Sequence, residues 1–283
     1  MTRCGMKALS LYWYRTEANF GDAFSPYAVR LCFGREVVAA GKWNCHLVAE
    51  GSVLGFALLR SGVSAKGVLN RMFRPPLHVW GSGLLFPLGK GVRRTAIRKP
   101  RFLAVRGIGT LTELKCLGLL GPKDEVALGD PGVFFSEVMT AKPIDGRHGR
   151  GLVLHACSWK NGEADAFAHE HPEIRLIDPR REPEAVVADI SSCAEIFSSS
   201  LHGLIAADSL GIPNRWVSLM TPYGDAKKNR FKFDDYYSAL GEVREPCAMN
   251  DVCHLPPLDP VPVEKLLSCR QALRQAAAGL CCP

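Results

Sequence analysis

The stretch EIFSSSLHGLIAADSLGIP (195–213) passes from a short apolar β-rich run, through three serines, into a helical pattern over 201–210. Its neighbours repeat the alternation. GLVLHA (151–156), IRLID (174–178) and PNRWVSL (213–219) read as strands, and 164–170 and 183–193 as helices between them. Such alternation predicts βαβ units and a parallel sheet covered on both faces. Upstream the same style continues. ALSLYWY (8–14), HLVAEG (46–51), LHVWGSG (77–83) and RFLAVRG (101–107) read as strands. SPYAVRLCFG (25–34) reads as a helix with Ser25 as N-cap and Pro26 at the first helical position. Thr110 and Glu113 have the spacing of a capping box that opens a helix to about Gly118.

The polar stretch MTAKPIDGRHGR (139–150) is the best domain boundary, giving an α/β protein of two Rossmann-like domains, 1–145 and 146–283. A Pro-rich segment, LPPLDPVPV (255–263), precedes a final helix at 264–278, which is expected to pack back on the first domain.

The chain has 283 residues, 47% apolar and 22% charged, an ordinary globular composition with enough length to bury a sizeable core. No apolar run approaches the ~18–20 residues of a membrane span. Eleven scattered cysteines without metal-type spacing, and no export signal, read as reduced thiols in a cytosolic protein. The charge is uneven: residues 1–150 carry 22 Lys and Arg against 10 Asp and Glu, and residues 151–283 carry 13 against 18. Gly51 to Thr112 holds 11 basic residues and no acid, which points either to an anionic partner or to a solvated basic face.

In open parallel sheets, ligands bind beyond the carboxyl ends of the strands, where helix N-termini offer free N–H groups to anions. Ser199, Ser200, Leu201, His202 and Gly203 occupy such a place. Hydroxyls and an imidazole there suit an oxyanion and a proton transfer; a Ser-rich cap with a structural histidine is the competing reading. Arg106 follows a strand and precedes a glycine turn, a position from which it can fork onto a carboxylate or phosphate. Asn19 and Asp22 lie in a loop suited to holding a sugar hydroxyl, and Ser82 lies in the glycine turn after LHVW. Arg230 and Lys232, preceded by Lys228, interleave with aromatics as a phosphate clamp or plain surface would; one short stretch without an RNA-binding fold does not argue for nucleic acid. Cys247, Cys253 and His254 lack zinc-site spacing, and no metal is expected.

Taken in order, NFGDAFSPY (19–27), EGSVL (50–54), VWGSG (79–83), AVRG (104–107), LGDPG (128–132), SSSLHGLIAADSLGIP (198–213) and RFKFDDYY (230–237) resemble the polysaccharide pyruvyl transferase family. The resemblance is nearest to the ketal pyruvate transferases of xanthan-like and succinoglycan-like exopolysaccharides, and it spans roughly 19–240. It implies a GT-B-like arrangement with the active site in the interdomain cleft. It also implies transfer from phosphoenolpyruvate to two hydroxyls of a hexose, forming a cyclic ketal and releasing phosphate. Phosphoenolpyruvate is then a co-substrate, and no cofactor or metal is required. On that resemblance His202 and Arg106 are the catalytic candidates. Ser199, Ser200, Leu201, Gly203, Lys228, Arg230 and Lys232 are donor-binding candidates, and Asn19, Asp22 and Ser82 are acceptor-binding candidates. Some family members carry arginine where this chain has Ser200, and the 227–232 cations are the candidate replacement.

The implied acceptor is a lipid-linked oligosaccharide at the inner face of the cell membrane. The basic stretch 51–112, with Leu58, Leu59, Met72 and Phe73, is then a candidate peripheral membrane surface of a cytoplasmic protein. The alternatives are a GT-B-type glycosyltransferase using a nucleotide sugar and, in a different class, a non-catalytic component of a polysaccharide assembly complex.

Overall fold

The computed structural model describes residues 8–61, 73–88, 94–96, 98–139, 146–160, 162–218 and 226–281. In chain order the first part comprises β1 (Leu9–Tyr12), α1 (Phe20–Phe33), β2 (Val37–Ala39), β3 (Leu47–Val48), α2 (Leu54–Ala57), β4 (Leu59–Ser61), β5 (Leu77–Trp80), β6 (Arg94–Ala96), β7 (Pro100–Val105), α3 (Ile108–Cys116) and β8 (Ala127–Leu128). A 3-10 turn at Pro131–Phe134 leads into α4 (Phe135–Val138). There follow β9 (Arg150–Val153), α5 (Glu163–Glu170), β10 (Ile174–Ile177), α6 (Pro183–Ser192), β11 (Glu195–Ser198), α7 (Leu201–Ser209), β12 (Asn214–Trp216), α8 (Ala226–Ala239) and α9 (Val263–Cys281).

The strands form two parallel sheets, one ordered β2-β1-β3-β5-β7-β8 and the other β10-β9-β11-β12, and β4 pairs antiparallel with β6. The protein is therefore α/β with parallel sheets. Successive strand residues point to opposite faces, and the apolar residues divide accordingly. Leu47 and Trp80 enter a large core that also takes Val153, Ile177 and Ile196 of the second sheet. Val48, Leu77, Val79 and Val105 enter a second core under α2 and α3, and Leu152 and Phe197 a third. The large core is thus continuous between the inner faces of the two sheets. Each fully buried Leu, Val or Phe in it contributes about 1.5–3 kcal/mol. Helix α9 packs on α1, β7 and β8, and its Leu273 carbonyl accepts from Trp80 Nε1 at 2.9 Å.

Two helix starts differ from the sequence expectation. Helix α1 begins at Phe20, capped by the Asn19 side chain, which accepts from Gly21 N at 3.0 Å. Ser25 is therefore no cap, and Pro26 lies inside the helix. An interior proline costs about 3 kcal/mol, which the cap and the full burial of Phe20 and Phe24 offset. Helix α3 begins at Ile108, so Thr110 and Glu113 do not form its capping box. Their side chains serve tertiary partners: Thr110 Oγ1 donates to Asp235 Oδ2 at 2.6 Å, and Glu113 Oε2 accepts from Leu88 N at 3.1 Å. The interleaved cations and aromatics of 227–237 lie on helix α8, which the sequence pattern does not mark as a helix.

The acid-free stretch is only partly a surface. Leu58, Arg98 and Arg106 are buried, whereas Phe73 is 76% exposed and Arg74, Lys99 and Arg101 are exposed. Met72 and the side chain of Leu59 lie outside the described residues.

Candidate active site

The carboxyl ends of β1, β3, β9 and β11 deliver their following loops to one cavity of about 410 Å³. After β11 come Ser200, Leu201 and His202, and after β9 His155 and Ala156; Lys232 reaches in from α8. Also lining it are Asn19 and Asp22 of the α1 start, Ser52 and Val53 after β3, and an aromatic wall of Tyr12, Tyr14, Phe56 and Phe86. Tyr14 and Phe56 meet edge to face at 5.9 Å between ring centres.

The start of α7 is shaped for an anion. Ser200 occupies the N-cap, and its side chain makes no capping hydrogen bond. Its carbonyl accepts from Gly203 N at 3.1 Å and Leu204 N at 3.4 Å, so the N–H groups of Leu201 and His202 form the open end of the helix. Beside it, burial and the nearby Arg106 lower the Lys232 ammonium to about 8, so it is still cationic at neutral pH.

His202 is the second residue of α7 and is almost fully buried. Its Nε2 lies 3.4 Å from Glu50 Oε1. Burial, Lys232 and Arg106 together push its imidazole down to about 3, so the ring is neutral. Glu50 is pushed the opposite way, well above the usual carboxylate range, by burial and by the negative charges of Asp130 and Asp22. Asp130 is raised to about 6 and Asp22 to about 7, each mainly by burial. Gly21 makes room for the ring, because a Cβ there would lie 1.9 Å from His202 Nδ1. Glu50, Asp130 and His202 also present one ligand atom each within 4.8 Å of one another, a group able in principle to hold a cation.

Of the residues singled out from sequence, the structure brings His202, Ser200, Leu201, Lys232, Asn19 and Asp22 to the cavity. It does not bring Arg106 there. That guanidinium is buried and engaged on all three nitrogens: Nε donates to Asp235 Oδ2 at 3.0 Å, one terminal nitrogen to Ser52 Oγ at 2.6 Å, and the other to the Leu84 carbonyl. Ser82 Oγ donates to the Gly51 carbonyl at 2.8 Å, and Ser199 Oγ accepts from His155 N at 2.9 Å; both steady site loops from behind. Gly203 serves close packing, since a Cβ there would lie 2.3 Å from Ser198 Oγ. Arg230 is held by Asp234 at 2.8 Å and by both oxygens of Glu245 at 2.6 and 2.7 Å, outside the cavity wall. Lys228 lies on α8, and its side chain is outside the described residues.

Sequence reading missed Glu50, Asp130, His155 and the aromatic wall as site components. The available signal was position: Glu50 and Asp130 each stand two residues past a parallel strand, where acidic groups at a strand end mark a ligand crevice.

A family model described as polysaccharide pyruvyl transferase matches residues 68–219. The chain is 29% identical over 279 residues to uncharacterized protein L143 of Acanthamoeba polyphaga mimivirus, covering 89% of this chain and 85% of that one. It is 27% identical over 241 residues to the succinoglycan biosynthesis protein ExoV of Rhizobium meliloti (strain 1021), covering 83% of this chain and 66% of that relative. No solved structure matches the chain.

Proposed function

The chain belongs to the polysaccharide pyruvyl transferase family and is a polysaccharide pyruvyltransferase; we propose that it takes its pyruvyl group from phosphoenolpyruvate and closes a cyclic ketal on two hydroxyls of one hexose. The observation that carries this reading is one cavity lined by two unlike sets of residues. One set is His202, Lys232, Ser200 and an open helix start, and the other is Asp22, Asn19 and four aromatic rings. A small polyanion suits the first set and a sugar the second.

Lys232, Ser200 and the N–H groups of Leu201 and His202 hold the donor's phosphate and carboxylate. His202 protonates C3 of the donor, which makes C2 an oxocarbenium-like electrophile. Asp22, poised near neutrality, accepts the proton of the first acceptor hydroxyl as its oxygen bonds to C2. The second hydroxyl displaces phosphate, and its proton leaves with the phosphate. The first hydroxyl's proton replaces the one spent on C3, so the enzyme ends as it began. Tyr14, Phe56 and Phe86 stack on the apolar face of the hexose.

In this reading the two sheets are the cores of an acceptor domain, 1–145, and a donor domain, 146–283, in a GT-B-like arrangement. The acceptor is a lipid-linked oligosaccharide in exopolysaccharide assembly, met at the cytoplasmic face of a membrane. Exposed Phe73, Arg74, Lys99 and Arg101 support peripheral contact there. Among the described residues no helix is long and apolar enough to cross a membrane.

The test is incubation with phosphoenolpyruvate and lipid-linked oligosaccharides, followed by mass spectrometry and phosphate assay. A gain of one pyruvyl ketal, with phosphate released only when acceptor is present, is expected. Phosphate release that ignores the acceptor, or no mass gain on any oligosaccharide tried, refutes the reading.

A further inference from the structure

Four polar atoms behind the cavity have no hydrogen-bond partner among the described residues although all are buried: both Glu50 carboxylate oxygens, Asp130 Oδ2 and His202 Nε2. Buried polar groups are rarely left so, because an unmet one costs about 1–3 kcal/mol. The three residues come from three separate parts of the chain, after β3, after β8 and at the start of α7, yet their polar atoms converge. Glu50 Oε1 and His202 Nε2 face each other at 3.4 Å, with Glu50 fully buried. A carboxylate and a neutral ring with bare Nε2 would repel at this contact. One proton between them satisfies both atoms.

The surroundings decide where that proton rests. The charges of Asp130 and Asp22 oppose a further negative charge on Glu50. Lys232 from α8 and Arg106 after β7 oppose a positive charge on the ring. Both effects favour the proton on Glu50 over the ring, with the Glu50 O–H directed at Nε2. Neutral His202 then carries its own proton on Nδ1.

We propose that Glu50 and His202 hold one proton between Oε1 and Nε2, making Glu50 the positioning residue that fixes the tautomer of His202 and recharges it during turnover. This rests on the reading of His202 as the acid. As the donor takes a proton from Nδ1, the Glu50 proton moves to Nε2, leaving a neutral ring and an ionised Glu50. The acceptor hydroxyl's proton then reaches Nδ1, through Asp22, and the Nε2 proton returns to Glu50. One proton enters and one leaves, and no net charge is stranded in the buried cluster.

The experiment compares the intact protein with its Glu50→Gln variant, whose amide still donates to Nε2 but has no proton to give up. With ring-labelled histidine, nitrogen NMR of the wild type is expected to show His202 neutral, with protonated Nδ1 and hydrogen-bonded bare Nε2, from pH 5 to 8. Saturating inorganic phosphate, standing for the donor's anion, is expected to shift the ring toward imidazolium in the wild type and not in Glu50→Gln. The kcat of the variant is expected to fall about 100-fold or more, with a displaced pH profile and phosphate affinity within tenfold of wild type. A kcat within threefold of wild type and an unchanged His202 spectrum overturn the proposal. So does one equivalent of divalent metal in the wild type that Glu50→Gln lacks, since a cation would then be what the cluster holds. Should the variant not fold, the wild-type spectrum decides alone: a resting neutral ring protonated on Nε2 refutes Glu50 as the group that fixes the tautomer and recharges the ring. Because the spectra need no turnover, failure of the pair is distinguishable from failure of the proposed reaction.

Discussion

Replacing Arg106 with methionine separates a donor-gripping arginine from a load inside the fold. The guanidinium and the Asp235 carboxylate are both wholly inaccessible and 3.0 Å apart. Asp235 also accepts from Thr110 N at 2.8 Å and Thr110 Oγ1 at 2.6 Å, so the pair ties β7 and α3 to α8. Arg106→Met leaves a buried carboxylate without its countercharge and the Leu84 carbonyl without its donor. Breaking a buried pair from one side costs about 3–5 kcal/mol. With a urea slope near the upper end of the usual range, about 3 kcal/mol/M, the unfolding midpoint should fall by about 1–2 M. The double variant Arg106→Met/Asp235→Leu should recover part of that loss, because both charges are then gone. Urea unfolding followed by circular dichroism measures all three proteins. Phosphoenolpyruvate binding by calorimetry, at a urea-free temperature where each is folded, gives the second axis. An unchanged midpoint combined with a hundredfold loss of donor affinity would refute the structural assignment and return Arg106 to the donor.

The cation at the cavity makes a further prediction. Lys232→Met should raise the donor KM about 10–150-fold, the worth of one hydrogen bond to a charged group. Because Lys232 is lowered to about 8, wild-type donor affinity should fall as pH rises above about 8, and the variant should lack that limb. The same shift has a sign for stability: between about pH 8 and the unfolded value near 10.5 the unfolded chain binds more protons, so this group makes stability rise with pH there. Phe56→Ala and Phe86→Ala should each raise the acceptor KM several-fold, about 0.5–1.5 kcal/mol, and leave the donor KM unchanged. Steady-state kinetics with each substrate varied in turn checks both pairs.

The strands and helices of residues 150–216 were legible because apolar runs and amphipathic runs alternate there with short breaks between them. Where reading failed, a side chain had a distant partner. Thr110 looks like the cap of its own helix, but Asp235, 125 positions away, claims its hydroxyl and its N–H. Ser25 and Pro26 look like a helix start, and burial of Phe20 and Phe24 pulls that start back to Asn19.

The site divides in the same way. The serine run and histidine at the strand-to-helix break stood out from sequence alone, since chemistry at a helix N-terminus is a local property. The sequence also determined the parallel α/β class, because hydrophobic period is written residue by residue. Only the tertiary structure decided which cations face the cavity. Arg106, Arg230 and Lys232 are equivalent as letters, and the carboxylates of Asp235, Asp234 and Glu245 consume two of them. Only the tertiary structure set Glu50 against His202 across 152 residues of chain, and pairing of that kind depends on distance in space, which spacing along a sequence does not encode.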